Sequence, residues 1–112
     1  MVRIEAIIRP EKFEEVKEAL QAIGVIAMTV DEVRGCGHQA GHVEHYRGLE
    51  TRINLLPKVR ITTVVHEIDP EKVIDAISKA AYTGEHGDGK IFLMPLLDAV
   101  RIRTGERGGD AV

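Results

Sequence analysis

The chain has 112 residues, and its 15 Lys and Arg against 18 Asp and Glu give a formal net charge of -3. This length fits one domain with one core, so we expect a single domain over residues 1–112. The charge lacks the basic excess needed to bind a phosphate backbone, so nucleic acid is not an expected partner. A hydrophobic fraction of 44% without a long apolar run argues against a disordered chain and against membrane insertion.

The cysteine content and the first residues bear on the cellular compartment. The chain has one cysteine, Cys36, which cannot form an internal disulfide. The opening segment MVRIEAIIRP lacks the basic-then-apolar layout of a secretory signal. We therefore expect a cytoplasmic protein.

The first third of the chain predicts a strand, a helix and a second strand. Residues 2–8 are rich in β-branched side chains, which favour a strand. Over residues 10–23 the apolar side chains recur every three or four positions, and Gly24 follows as a left-handed cap, which indicates an amphipathic helix. Residues 25–34 predict the second strand.

The second half predicts the same order of elements. A strand is expected over residues 59–66, followed by Asp69 and Pro70, a residue pair typical of a helix start. After this helix we expect a strand over residues 90–95 and a short strand over residues 100–103. The motif Pro-Glu-Lys opens both predicted helices, which supports two related βαβ halves.

Two βαβ halves predict an α+β fold of the ferredoxin-like, split-βαβ kind. In this fold four antiparallel strands form one sheet, and two helices cover one of its faces. The other face would remain uncovered although it includes apolar side chains. We therefore expect self-association into a closed homo-oligomer that buries this face.

The two halves are joined by the long loop, residues 35–57, which shows no sustained periodicity. A loop of this length in a compact domain predicts a mobile, partner-binding segment. It also contains Cys36, His38, His42 and His45, which are side chains that bind zinc or copper. Their spacing matches no closed metal site, but a metal-responsive binding protein remains an alternative.

The glycine loop, residues 83–90, follows the second helix. Its glycines and Lys90 superficially match a nucleotide-hydrolysing phosphate loop, but Ile91 stands where Ser or Thr must hold magnesium. The segment also runs from helix to strand, the reverse of that motif. Gly87 and Gly89 nevertheless allow backbone N–H groups to surround phosphate oxygens, and Lys90 adds positive charge.

Arg101 and Arg103 are two residues apart on the predicted strand 100–103. Both guanidinium groups would then point to one face, while Val100 and Ile102 would pack inward. Together with the glycine loop, this pair suits the polyphosphate of a nucleotide. No nucleophile is paired with a base by a recognisable spacing, so we expect a protein that is not an enzyme, with slow ATP hydrolysis as an alternative.

Several segments, in this order and spacing, resemble those of the PII signal-transduction proteins over nearly the whole chain. They are AIIRP at 6–10, MTV at 28–30, Gly35 with Gly37 and Gln39, YRG at 46–48, LPKV at 56–59, Thr83-Gly84, GDGKIF at 87–92 and RIRTGE at 101–106.

The resemblance implies a homotrimer of ferredoxin-like subunits that senses nitrogen and energy status. It implies ATP or ADP in the clefts between subunits, and 2-oxoglutarate bound beside MgATP. The long loop would act on ammonium transporters or on enzymes and regulators of nitrogen metabolism. A narrower alternative is a sensor limited to adenine nucleotides.

The resemblance also implies roles for particular residues. The phosphates would be held by Gly87, Asp88, Gly89, Lys90, Arg101 and Arg103. The adenosine pocket would be lined by Thr29 and Val64, and the root of the long loop would approach the nucleotide through Gly35, Gly37, His38 and Gln39. Gln39 would complete the Mg²⁺ and 2-oxoglutarate site, Lys58 would pair with the oxoacid carboxylate, and Arg9 would lie nearby.

The chain departs from the family pattern at five positions. Thr51 replaces a tyrosine that is nucleotidylated in the family and Leu49 a serine that some members phosphorylate, so we do not expect covalent control at these positions. Cys36 replaces a phenylalanine and Thr62 a glutamate. His38 replaces an arginine near the terminal phosphate, which predicts weaker or pH-dependent discrimination between ATP and ADP.

Overall fold

A computed structural model describes residues 1–36 and 55–112, together with the backbone of two short strands between them. Its strands are β1 (Val2–Ile8), β2 (Thr29–Gly35), β3 (His45–Tyr46), β4 (Leu49–Glu50), β5 (Leu56–Val65) and β6 (Gly89–Pro95). Its α-helices are α1 (Phe13–Ala22) and α2 (Pro70–Ala81), and 3-10 turns cover Pro10–Lys12 and Gly108–Ala111.

Four strands form one antiparallel sheet in the order β2-β5-β1-β6, and β3 pairs with β4 within the long loop. Strands that follow each other through a helix are therefore separated by another strand in the sheet. This order is that of two interleaved βαβ units and confirms the predicted ferredoxin-like α+β fold. No helix among the described residues is long and apolar enough to span a membrane.

The core lies between the sheet and the two helices. In β1, Ile4, Ala6 and Ile8 are buried while the residues between them are less so, which is the two-residue period of a strand with one covered face. Both helices contribute to the same cluster, through Val16 and Leu20 from α1 and Val73 and Ile77 from α2. The helices therefore cover one face, as predicted.

The other face of the sheet, which we call the open face, bears both apolar and charged side chains. Strand register places Ile7, Val33, Phe92 and Met94 on it. On the same face Arg60 binds Asp31 of the neighbouring strand through two hydrogen bonds, of 3.1 and 2.6 Å. Phe92 is 45% exposed in the single chain.

The predicted helix boundaries were close to the observed ones. At the start of α2, the Asp69 side chain accepts a 3.0 Å hydrogen bond from the backbone N–H of Glu71, as the predicted cap requires. The segment that opens at Pro10 instead begins as a 3-10 turn, and the α-helix starts at Phe13. Gly24, with φ of +92°, ends it in the predicted left-handed conformation.

The strands on either side of the long loop differ in length from the prediction. The second strand begins at Thr29 and not at residue 25, because the Val25 N–H bonds the Leu20 carbonyl and its side chain packs into the core. Residues 25–28 therefore form an irregular connection between α1 and β2. At the base of the long loop, β2 and β5 remain paired as far as Gly35 and Leu56, so β5 begins earlier than predicted.

The predicted strand over residues 100–103 was wrong. These residues belong to the arginine turn, residues 100–107, closed by a single bridge between Val100 and Arg107. Gly105 explains this, because it adopts φ of +73° and its N–H bonds the Arg101 carbonyl at 2.7 Å. Ile102 is 99% exposed and Val100 is 51% exposed, so neither packs inward as predicted.

Candidate functional site

The glycine loop is organised around the carboxylate of Asp88. This carboxylate accepts hydrogen bonds from the backbone N–H of Thr83 at 2.8 Å, from the Thr83 hydroxyl, and from the N–H of Gly84 at 2.9 Å. The Thr83 hydrogen bonds are the main reason why the pKa of Asp88 lies well below its usual range. The Asp88 side chain is thus engaged inside the loop, and any contact with a phosphate would come from its backbone N–H.

Two cations hold the loop from the end of the sheet. Arg9 donates from Nε to Oδ1 of Asp88 at 3.1 Å and from Nη2 to the carbonyl oxygen of His86 at 2.7 Å. Lys58 donates from Nζ to the carbonyl oxygen of Gly87 at 2.7 Å. Arg9 follows β1 and Lys58 lies near the start of the adjacent, antiparallel β5, so the sheet brings both to the same end.

Lys58 lies in a less polar environment than a surface lysine. The residue is only 8% exposed, and this burial is the main cause that lowers the pKa of its ammonium group. The nearby charge of Arg9 lowers the pKa further, whereas Glu11 and Asp88 oppose the shift. Lys58 and Arg9 thus place two positive charges close together at this end of the sheet.

The backbone at the end of the loop requires glycine. Gly87 and Gly89 adopt φ of +101° and +108°, in the left-handed region. Lys90 begins the exposed part of β6 and pairs in register with Ile7 of β1. The loop thus combines accessible backbone with a lysine, as predicted for an anion site.

The root of the long loop lies at this same end of the sheet, which we call the loop end. Gly35 pairs with Leu56, and a Cβ at Gly35 would lie 3.9 Å from Cγ of Lys58. Four of the predicted groups therefore meet here: Arg9, Gly35, Lys58 and the glycine loop. The assignments to Gly37, His38 and Gln39, including Mg²⁺ at Gln39, lie outside the described residues.

The predicted adenosine residues lie away from the loop end. Thr29 pairs with Thr62 at the first position of β2, and Val64 is two residues further along β5. Because β2 begins at Thr29, Val64 pairs only with β1 among the described strands. The edge of β5 beside it lines a pocket of about 390 Å³. The C-terminal residues Gly109 and Val112 line the same pocket.

Arg101 and Arg103 also lie away from the glycine loop. Arg101 pairs with Glu106 inside the arginine turn, with 3.1 Å between Nη1 and Oε1, and Arg103 is exposed. The glycine loop leads into β6 and the arginine turn follows its other end, so the length of the strand, about 20 Å, separates the two. Among the described residues no hydrogen bond joins them, and one chain does not form the predicted combined site.

The metal alternative gains no support from the part of the chain that the structure describes. No three His, Cys, Asp or Glu residues there lie close enough together to hold a metal ion. Cys36 is exposed at the end of β2. The other side chains of that hypothesis, those of His38, His42 and His45, lie outside the described residues.

Comparison with known proteins shows the family of this chain. The model of the family "Nitrogen regulatory protein P-II" matches residues 1–106. The chain belongs to the P-II family. It is 54% identical to the nitrogen regulatory protein P-II of Azospirillum brasilense over the full length of both chains. It is 56% identical to nitrogen regulatory protein P-II 2 of Methanothermobacter thermautotrophicus over all of this chain and 97% of that one.

Membership of the P-II family confirms the resemblance and the regulatory class, as the names of these relatives also indicate.

Sequence reasoning missed the hydrogen bonds that give this P-II chain the geometry of its glycine loop. Thr83 was noted only as part of the family motif, although a threonine and an aspartate at the two ends of a short glycine-rich segment are typical of side-chain to backbone bonding. The contact from Arg9 to Asp88 had no local signal, because 79 positions separate the two residues.

Proposed function

We propose that this P-II protein is a cytoplasmic, non-enzymatic sensor of nitrogen and energy status. It would bind ATP or ADP, and 2-oxoglutarate together with MgATP, in the clefts between the subunits of a homotrimer. The observation that carries this proposal is the separation of the phosphate-binding groups: the glycine loop precedes β6, and the arginine turn follows it.

This separation favours sites that are shared between subunits. If the arginine turn of one copy meets the glycine loop of the next, the contact joins two different surfaces. A two-fold dimer would make this contact twice, reciprocally, whereas a head-to-tail arrangement closes into a ring, and we propose the smallest such ring, of three copies. The apolar side chains on the open face support burial of that face in such a ring.

A nucleotide would contact opposite ends of the sheets of two neighbouring subunits. Its phosphates would bind the backbone N–H groups of the glycine loop, Lys90, and Arg101 and Arg103 of the next subunit. Charge-assisted hydrogen bonds contribute roughly 1.5 to 3 kcal/mol each. Four or five of them supply roughly 6 to 15 kcal/mol, a range that includes the roughly 8 kcal/mol of micromolar binding before ordering costs are subtracted.

The adenosine would lie against the unpaired edge of β5. A purine presents hydrogen-bond donors and acceptors along one edge and apolar faces above and below. The backbone near Val64 offers complementary groups because no neighbouring strand pairs with it on that side, and Thr29 adds an exposed hydroxyl. This arrangement supports a preference for a purine nucleotide over free polyphosphate.

The oxoacid would bind at the loop end. Lys58 is held by the Gly87 carbonyl and would attract a carboxylate, and Gln39 would supply an amide oxygen of the kind that Mg²⁺ accepts. The ion, when bound, would neutralise phosphate charge and bring the oxoacid beside the nucleotide. Because the long loop is rooted at Gly35 and Leu56, next to Lys58, occupation of this end can be transmitted to the loop.

The long loop would contact an ammonium transporter or a nitrogen-metabolism enzyme. Deletion of residues 42–54 should leave the oligomer and ADP binding intact, since the β2–β5 pairing ends at Gly35 and Leu56, outside the deletion. The same deletion should abolish capture of such a partner. A monomeric or insoluble product would contradict this role.

The central experiment is a calorimetric titration of the protein, with its mass in solution measured alongside. We expect a trimer that binds ATP and ADP once per subunit, binds 2-oxoglutarate only when MgATP is present, and releases no ADP above a protein-free control. Absence of nucleotide binding would contradict the proposal. Nucleotide binding without any response to 2-oxoglutarate would restrict it to a sensor of adenine nucleotides.

A further inference from the structure

Arg9 is engaged with the glycine loop through two adjacent donors. Its Nε bonds the Asp88 carboxylate and its Nη2 bonds the His86 carbonyl, while the side chain is 22% exposed. Both bonds are made by one planar guanidinium group, so they fix the direction of the His86 carbonyl relative to the end of β1.

The direction of a carbonyl determines the direction of the next N–H group. The peptide bonds are trans, so the C=O and N–H of one peptide unit point in opposite directions. Because the His86 carbonyl faces Arg9, the N–H of Gly87 faces away from Arg9. The Gly87 carbonyl faces Lys58 in the same way, so the N–H of Asp88 faces away from Lys58.

Two successive N–H groups are thereby presented on the side of the loop opposite to the two cations. Successive backbone N–H groups in a turn with a left-handed residue form a concave site for an anion. Gly87 supplies that left-handed residue, with φ of +101°. The proposed phosphate site therefore depends on Arg9 and Lys58, which bind the carbonyl oxygens on the other side of the loop.

We propose that Arg9 is a positioning residue for the phosphate site: it orients the N–H of Gly87 through the His86 carbonyl. This inference rests on the proposed nucleotide function. It adds a role to the one expected from the place of Arg9 near the oxoacid, because two of its contacts are within the glycine loop.

The geometry also explains why arginine stands here. Arginine presents its donors in a rigid plane, whereas a lysine ammonium is a single point charge on a flexible stem. The Asp88 carboxylate, 3.1 Å from Nε, offsets the charge of Arg9. Loss of the Arg9 charge is therefore less important than loss of its two directed hydrogen bonds.

The test compares ADP binding in the wild type, Arg9→Lys, Arg9→Met and the control Lys72→Met, a surface position on α2. ADP is the probe because it requires neither Mg²⁺ nor oxoacid. We expect both Arg9 variants to bind ADP about tenfold more weakly, a change of about 1.4 kcal/mol, and the control to be unchanged. The dependence of affinity on salt should be the same in the wild type and in Arg9→Lys, because both keep a positive charge at this position.

Two results would overturn the proposal. One is full rescue of ADP affinity by Arg9→Lys, which would show that charge alone suffices. The other is an affinity loss in Arg9→Met much larger than that in Arg9→Lys, which would show that the charge of Arg9, and not the direction of its hydrogen bonds, supports the site.

Amide exchange in the ligand-free protein tests positioning without nucleotide. We expect the N–H groups of Gly87 and Asp88 to exchange faster in Arg9→Lys, while the amides of β1 remain protected. Unchanged exchange at both amides would contradict the inference. If the wild type binds no ADP and exchange is still faster in the variant, the proposed function fails but the positioning role in the loop remains.

Discussion

A Cβ placed on Gly89 would lie 1.7 Å from the carbonyl oxygen of Ile7 on the neighbouring strand. The backbone at Gly89 also has φ of +108°. Gly89 pairs with Ile8 at the last position of the β1–β6 ladder, and Ile8 is the residue immediately before Arg9. The close approach of these two backbones therefore fixes the glycine loop to the strand that carries Arg9.

The first prediction separates this close contact from backbone strain. Gly89→Ala should destabilise the protein by more than Gly105→Ala does, because Gly105 has φ of +73° but nothing within 4 Å of its Cβ position. We expect the Gly105 variant to lose about 1 to 2 kcal/mol and the Gly89 variant at least about 1 kcal/mol more. Urea unfolding at equal protein concentration measures both, and equal losses would show that the Ile7 contact relaxes freely.

The second prediction concerns acid stability. The folded pKa of Asp88 lies below the ordinary value of 3.8, so its ionised form stabilises the folded state at any pH well above 3.8. This contribution should be lost as the pH falls below that value towards the folded pKa. Asp88→Asn should therefore be less stable than the wild type at pH 7, with a difference that shrinks as the pH falls below 4.

Asp69→Asn is a matched control for the second prediction, because asparagine also caps a helix and keeps an oxygen for the Glu71 N–H. Its stability should follow that of the wild type more closely between pH 7 and pH 3. A stability difference between Asp88→Asn and the wild type that stays constant over this pH range would mean that the Asp88 charge is not what the loop requires.

The sequence predicted secondary structure correctly where the pattern and the contacts that produce it lay within one element. The strand β1, indicated by its β-branched residues, and the cap formed by Asp69 before Pro70 each depend on residues within one element, and both were predicted correctly. The same approach failed at residues 100–103, where the alternation of arginine with valine and isoleucine mimics a strand. There Gly105 turns the chain back, and the apolar side chains are exposed.

The candidate site was less predictable because its contacts are non-local. The bond from Lys58 to Gly87 and the bonds from Arg9 to His86 and Asp88 join residues far apart in the chain. Motifs indicated which residues belong together, but not which groups face one another. The placement of the arginine turn and the glycine loop at opposite ends of β6, by contrast, already follows from the order of the predicted segments in the chain.

The third prediction distinguishes Lys58 from Gln39. Lys58→Ala should lose 2-oxoglutarate and also weaken ADP severalfold, because the Gly87 carbonyl loses the 2.7 Å hydrogen bond that orients the Asp88 N–H. Gln39→Ala should lose 2-oxoglutarate but keep ADP affinity, since Gln39 is proposed to act only through Mg²⁺. Calorimetry with ADP alone, and then with MgATP and 2-oxoglutarate, measures both effects. Wild-type ADP affinity in Lys58→Ala would show that the Gly87 contact does not support the phosphate site.

The last prediction tests whether each site is shared between neighbouring subunits. Alone, Lys90→Ala and the double variant Arg101→Ala with Arg103→Ala should each weaken ATP by about tenfold or more. Equal amounts of the two proteins are then unfolded and reassembled together. A cleft regains both intact halves if its glycine loop comes from the double arginine variant and its arginine turn comes from Lys90→Ala. Each condition is met half the time, so about a quarter of the clefts should bind ATP tightly.

A site contained within one chain would give a different result in this mixing experiment. Every chain then carries one defect, so no tight site can form in any mixture. The number of tight sites measured by calorimetry separates the two cases, and each variant reassembled alone provides the baseline. Wild-type protein treated in the same way shows how many sites survive reassembly. Recovery of tight sites in the mixture would therefore establish that the two ends of the sheet, separated in one chain by the length of β6, meet between subunits.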